Sequence, residues 1–169
     1  MGVVHLIRHG APEVTGVLLG RTDVPLGPAA VPAATFAVAT VFGSPLRRAR
    51  RTAELLFPKQ PVNILDGLAE RGLGDWEGRS WSEVQQGWPD LAAQADRDWF
   101  AAVPPNGEPW NLFVERVASA WREIRRARAP VAVVAHAGVN AVLCELIAGR
   151  SPLEFQQMYL EALTLEFEY

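Results

Sequence analysis

Two segments of this chain share one design. Val3-Val4-His5-Leu6-Ile7-Arg8-His9-Gly10 and Val131-Ala132-Val133-Val134-Ala135-His136-Ala137-Gly138 each run largely apolar, stop at a histidine and reach a glycine within two residues. A short, near-continuous apolar run bounded by turn residues reads as a strand covered on both faces. Such strands belong to parallel sheets with helices on each side, where ligands bind beyond the carboxyl ends of the strands. His9 and His136 are therefore expected to meet, although most of the chain lies between them.

A third segment, Val41-Phe42-Gly43-Ser44-Pro45-Leu46-Arg47-Arg48-Ala49, again passes from strand to helix. Ser44 reads as the N-cap and Pro45 as the first helical residue, with the helix over Leu46–Phe57. It delivers arginine to the same crevice, where a helix N-terminus adds a field that favours an anion.

The remaining elements follow from periodicity and punctuation. Strands are expected over Val3–Ile7, Ala39–Phe42, Val62–Leu65 and Val131–Ala135, with Leu163–Tyr169 alternating like an edge strand. Ala11–Leu26 reads as a loop, and Ala29–Ala37 as a helix that Pro28 could start. Gly67–Arg79 holds four glycines and reads as a shaped loop. Two short helices broken at Trp88-Pro89 are expected within Trp81–Ala101, then a turn at Pro104-Pro105-Asn106-Gly107. Helices are expected over Trp110–Arg128, with Phe113, Val117, Trp121 and Ile124 on one face, and over Val139–Ala148. Alternating strands and helices in 169 residues argue for one α/β domain over 1–169, with a small helical cap around 80–110.

Composition narrows the chemistry. A net charge of −3 gives no general attraction to nucleic acid or anionic lipid, so local arginines must hold any anion. Cys144 is the single cysteine, which excludes an internal disulfide, and it reads as a core residue. The N-terminus lacks the pattern of a signal peptide and no apolar stretch is long enough to span a bilayer, so a soluble cytoplasmic protein is expected.

Two histidines and two arginines around one point suit phosphoryl transfer. Guanidiniums grip phosphate oxygens and oppose protonation of an adjacent imidazole, which then can attack phosphorus. The departing alcohol still needs a proton, and Glu70 and Glu77 in the glycine-rich loop are the candidates. A zinc site needs at least three good ligands, and histidines flanked by arginines repel a cation, so no metal is expected.

Taken together, these segments resemble the histidine phosphatase superfamily, also called the phosphoglycerate-mutase-like family. Leu6-Ile7-Arg8-His9-Gly10 is similar to its signature, and Ser44-Pro45-Leu46-Arg47-Arg48-Ala49 with Thr52-Ala53 to its second-arginine segment. Leu68-Ala69-Glu70-Arg71 followed by Gly74-Asp75-Trp76-Glu77-Gly78 resembles its acid loop. Val133-Val134-Ala135-His136 with Gly138-Val139 resembles its second-histidine segment, and Gly20-Arg21-Thr22-Asp23-Val24-Pro25-Leu26 the loop before its first helix. Pro104-Pro105-Asn106-Gly107-Glu108 is similar to a turn in the branch that contains alpha-ribazole phosphatases. Ala11-Pro12, Ala137 and Pro109 depart from the commoner Glu-Thr, glycine and serine.

The resemblance implies a three-layer α/β/α sandwich, its sheet mostly parallel with one antiparallel edge strand. It implies His9 as nucleophile, Glu70 as proton donor, and Arg8, Arg48 and His136 as holders of the phosphoryl oxygens. Thr15 and Arg21 are expected as substrate contacts, no cofactor is required, and the partner is a small phosphate ester such as alpha-ribazole phosphate. Arg47, Arg50 and Arg51 read instead as a solvated helix face, His5 as structural, and most of the tryptophans Trp76, Trp81, Trp88, Trp99 and Trp110 as packing for the cap. The alternatives are mutase-type phosphoryl transfer, a phosphohistidine-protein phosphatase, and a nucleic-acid-binding module built on Arg47–Arg51. A mutase must shield its phosphohistidine and usually carries more sequence, Glu70 favours an alkyl ester over phosphohistidine, and the acidic balance opposes nucleic acid.

Overall fold

Each apolar run becomes a strand of one sheet. The structure, a computed structural model, describes residues 1–169. The strands are β1 (Gly2–Arg8), β2 (Thr40–Gly43), β3 (Val62–Ile64), β4 (Val131–Ala135) and β5 (Ala162–Phe167), in the sheet order β3-β2-β4-β1-β5. β4 lies between β1 and β2 and runs parallel to both; β3 is parallel to β2. β5 is antiparallel to β1 and forms one edge. The expected mostly parallel sheet with an antiparallel edge strand is the one observed.

The chain has five helices: α1 (Arg47–Leu56), α2 (Trp81–Gly87), α3 (Pro89–Arg97), α4 (Trp110–Ile124) and α5 (Ala137–Ala148), of which α1, α4 and α5 pack on the sheet. Strand alternation sorts the core into two halves. Val4, Leu6, Phe42, Val131, Val133 and Ala135 face α4 and α5, where they meet Phe113, Val117, Ile124, Val139 and Cys144. Ile7, Val41, Ala132 and Val134 face the other way and pack against Ala53 and Leu56 of α1. Helices on both faces of the sheet make the three layers.

Two local expectations are corrected. Ala29–Ala37 is not helical; it crosses the surface as irregular chain, with Val31, Ala34 and Phe36 packed on the α1-side core. Pro32 would remove an intrahelical hydrogen bond and clash with the preceding turn, and the apolar anchors hold the segment against the core without a helix. Helix α1 begins at Arg47 with Leu46 in the cap position, so Ser44 is not the N-cap. Its hydroxyl accepts the Leu46 N–H at 3.2 Å and turns toward His136. The break at Trp88-Pro89 is present: a Ser80–Glu83 capping box starts α2, and Pro89 starts α3.

α2 and α3 build a third apolar cluster with the glycine-rich loop, around Trp76, Val84, Ala92 and Ala95. Trp81, Trp88 and Trp99 pack against it, whereas Trp110 stacks on Phe100 at 4.0 Å. Gly74 joins loop and cluster in a left-handed conformation, φ +52°, where an added Cβ would lie 2.1 Å from the Pro105 carbonyl oxygen. We predict that Gly74→Ala costs about 2–4 kcal/mol, from backbone strain plus displacement of that contact. A lowered urea midpoint at unchanged m-value is the expected reading.

Candidate active site

The sheet order lines up three strand ends. Ser44 follows β2, His136 follows β4 and Arg8-His9 closes β1, so the three neighbours β2-β4-β1 present them side by side. The His9 N–H donates to Ala135 O at 2.9 Å and the Ser44 N–H to Val134 O at 3.1 Å, which carries strand pairing up to the site itself.

His9 is buried at 6% exposure. Its Nδ1 lies 2.6 Å from the Gly10 carbonyl oxygen, an acceptor only, so Nδ1 carries the hydrogen. Nε2 is then left with a lone pair, which accepts a long 3.3 Å contact from Arg48 Nε. Burial, reinforced by the charges of Arg48 and Arg8 against the opposing Gly10 carbonyl, pushes the imidazole pKa down to about 3. Nε2 is thus unprotonated throughout the physiological range.

Arg48 is the second residue of α1 and is 1% exposed. Besides reaching His9, it donates to Thr22 O at 2.9 Å and to Gly20 O at 2.8 Å, which ties the Gly20–Thr22 loop to the site. Its neighbours Arg47, Arg50 and Arg51 are exposed, and the last two pair with Glu54. Within one turn of helix, then, Arg48 lies on the buried side and the other arginines on the solvated side.

His136 is 1% exposed, its ring centroid 5.0 Å from that of His9. Its Nε2 lies 2.8 Å from Ser44 Oγ, while Nδ1 is buried without a partner. Burial first, then the nearby His9 and arginines, hold it well below the usual histidine pKa. Arg8 is bracketed by the chain before β5: Nη1 donates to Gln157 O at 2.7 Å, and the guanidinium carbon sits 4.1 Å from the centre of the Tyr159 ring. Gln157 is itself pinned, donating to Leu6 O at 2.8 Å and accepting from Asn140 Nδ2 at 2.9 Å.

Two glutamates in the loop have different surroundings. Glu70 accepts backbone N–H groups of Arg71 at 2.9 Å and Gly138 at 3.1 Å, and burial nonetheless raises its pKa above the carboxylate range. Gly138 permits the approach, since a Cβ there would lie 2.5 Å from Glu70 Oε1. Burial alone would raise Glu77 too, but the Thr22 hydroxyl and the N–H groups of Leu73, Arg21 and Thr22 hold it below normal. Glu77 is a loop clamp.

A cavity of about 270 Å³ brings together Arg8, His9, Arg48, Glu70 and His136, and Thr15 also lines it. Arg21 does not: it is not among the lining residues, and its guanidinium faces Glu108 at 3.7 Å. Sequence reasoning missed Ser44 as a partner of His136, and gave no sign of Asn140, Gln157 or Tyr159. Ser44 lies inside the second-arginine segment, so its position was marked; the other three follow no local pattern.

The family model of the histidine phosphatase superfamily (branch 1) matches residues 4–166. The chain belongs to that superfamily. It is 30% identical over 159 residues to the adenosylcobalamin/alpha-ribazole phosphatase of Escherichia coli, covering 85% of this chain and 78% of the relative. The Salmonella typhimurium protein of the same name is 32% identical over 155 residues, covering 82% and 75%. The crystal structure of the alpha-ribazole phosphatase from Shigella flexneri superposes with a TM-score of 0.84 at 26% identity, covering 98% of this chain and 91% of that one.

The histidine environment of this superfamily member is testable without substrate. Because the folded His9 pKa lies below 6.5, the unfolded chain binds protons first as pH falls. The contribution of His9 to stability is full above pH about 6.5 and is progressively lost toward about 3. Imidazole NMR shifts should show His9 as the Nδ1–H tautomer and still neutral at pH 5, with its charging coincident with acid unfolding.

Proposed function

We propose that this protein hydrolyses phosphate monoesters through a phosphohistidine formed on His9. The observation that carries the reading is an unprotonated Nε2 in one cavity with Arg8, Arg48 and a carboxyl of raised pKa, Glu70. In the first step the Nε2 lone pair bonds to phosphorus as the bond to the alcohol oxygen breaks, and Glu70 gives that oxygen its proton. In the second, water attacks phosphorus, the Glu70 carboxylate takes its proton, and the electron pair of the P–N bond returns to Nε2. Arg8, Arg48 and His136 hold the phosphoryl oxygens throughout, with the charge they supply already in place before the reaction. Ser44, hydrogen-bonded to Nε2, holds the His136 ring in place and is a positioning residue.

No metal or organic cofactor takes part in this scheme. The charge that a metal would neutralise is met by two guanidiniums, and their charge opposes a cation beside the histidines. The substrate is a small phosphorylated metabolite, and the names of the relatives make alpha-ribazole phosphate the first compound to try. Thr15 is a contact for its alcohol; Arg21, outside the cavity, is not carried forward.

His9→Ala should lower p-nitrophenyl phosphate turnover in chelator by at least about 10³-fold, as nucleophile removal does elsewhere. A loss smaller than tenfold would remove His9 from the role. Arg48→Ala should cost roughly two to three orders of magnitude, and Arg47→Ala or Arg50→Ala little. Equal losses in all three would mean that the cluster acts only as a general field.

Glu70→Gln should discriminate by leaving group. An alkoxide needs a proton and p-nitrophenolate does not, so alkyl esters should slow strongly in the first step while the aryl ester gives a burst and a trapped phosphohistidine. As pH rises through its raised pKa, Glu70 loses the proton it must give. The alkaline fall in the first-step rate for alkyl esters should therefore vanish in Glu70→Gln and persist in Glu77→Gln.

A further inference from the structure

Much of the cavity lining is apolar. The apolar walls are Val14, Val17 and Leu19 from the loop after β1, Trp99 and Phe100 from the chain between α3 and α4, and Trp110, the first residue of α4. Val14 is 42% exposed and Tyr159, which joins these walls to Arg8, is 41% exposed. Apolar surface that the fold leaves open in a concave site is surface for a ligand to cover.

The charged groups lining the cavity are Arg8, Arg48, Glu70 and Arg71. Arg8 and Arg48 flank His9 and are committed to the phosphoryl group. Arg71 is buried at 3% exposure, and each of its three nitrogens donates to a backbone carbonyl: Nε to Glu108 at 2.9 Å, Nη1 to Trp99 at 3.2 Å and Nη2 to Ala102 at 2.8 Å. Its guanidinium carbon also lies 5.7 Å from the centre of the Trp110 ring. Arg71 is the frame of the aromatic wall and is not presented to a ligand. Beyond the phosphoryl group, then, an anion would meet apolar side chains and the Glu70 carboxyl. Burying a charge without a partner is costly, whereas a flat uncharged ring would cover the exposed walls favourably.

We infer that these walls form a subsite for the alcohol half of the substrate, one that takes a flat, apolar, uncharged body and rejects a second anionic group. The inference rests on the phosphatase reading above. It separates phosphate esters of ring-bearing neutral alcohols from phosphoglycerates and bisphosphates, which carry a second anion. The hydroxyls of Thr15 and Tyr159, the two on the cavity lining, remain for a neutral polar group on the same alcohol.

The test compares primary alkyl esters, so that leaving-group reactivity stays similar: 2-phenylethyl phosphate, ethyl phosphate and 3-phosphoglycerate, with purified full-length protein in chelator. The expected kcat/KM for 2-phenylethyl phosphate exceeds that of ethyl phosphate by about tenfold or more, and that of 3-phosphoglycerate by about 100-fold or more. In Phe100→Ala and, separately, Val14→Ala, the ratio of 2-phenylethyl to ethyl phosphate should fall at least about fivefold for the former and measurably for the latter. A ratio is unaffected by a fraction of unfolded protein, and Val14 is exposed enough to tolerate the change. If 3-phosphoglycerate is turned over as well as 2-phenylethyl phosphate, or the ratio is unchanged in both variants, the subsite is overturned while the phosphatase reading stands. If no ester is turned over and His9 is never phosphorylated, the phosphatase reading itself falls, and the subsite with it.

Discussion

The Arg48 guanidinium is a charge buried at the point where three separate parts of the chain meet, and the geometry of the site depends on how that charge is satisfied. Its carbonyl partners, Gly20 and Thr22, lie on the loop before β2, and its Nε reaches His9 beyond β1. Desolvation lowers the tendency of this group to carry charge, while Glu70, Asp23, Glu77 and Tyr159 act in the opposite sense. Breaking the set would leave a charge with few partners in a dry place, which costs several kcal/mol in typical proteins, about 3–5. The loop is thereby fixed, and so is the imidazole. The same charge that fastens the loop adds to burial, the larger cause, in keeping His9 neutral.

Glu70 and Glu77 show how environment gives identical side chains different work. Both lie near the same loop, seven positions apart in number, and both lose water. Glu77 recovers its hydration loss from one hydroxyl and three backbone N–H groups and stays ionised. Glu70 has two N–H partners, and these do not offset burial. The second of those donors is Gly138, in the first turn of α5, directly after His136. The carboxyl and the second imidazole are thus located by the same helix start, and Gly138 lacks the Cβ that would separate them.

Around this centre the chain before β5 supplies what the signature segments do not. Gln157 and Tyr159 hold Arg8 from the carbonyl side and from the ring face, and Asn140 connects that bracket back to α5. Trp99, packed against the third apolar cluster, and the adjacent Phe100 line the cavity. The cavity therefore joins the polar side chains of Arg8, His9, Arg48, Glu70 and His136 to an apolar, aromatic wall.

By itself the sequence determined the elements with strong local signals. The apolar runs of β1 and β4 read as strands covered on two faces, Trp88-Pro89 as a break between helices, and the alternation of Leu163–Tyr169 as an edge strand, which the structure forms over Ala162–Phe167. It also marked His9, Arg48, Glu70 and His136, because each sits in a segment whose residue types and order resemble a known family. Where signals conflicted it misled: alanine-rich chain around Pro32 read as helix, and Ser44 read as a cap. Only the tertiary structure decided that Ser44 faces His136, because that contact exists through the adjacency of β2 and β4, which no local pattern encodes. Only it separated the buried Arg48 from the exposed Arg47, Arg50 and Arg51 by packing rather than by resemblance, and moved Arg21 away from the cavity toward Glu108. Gln157, Asn140 and Tyr159 were invisible for the same reason. Their roles are hydrogen bonds and ring contacts across many residues of chain, and such long-range pairings leave no periodicity in the sequence to be read.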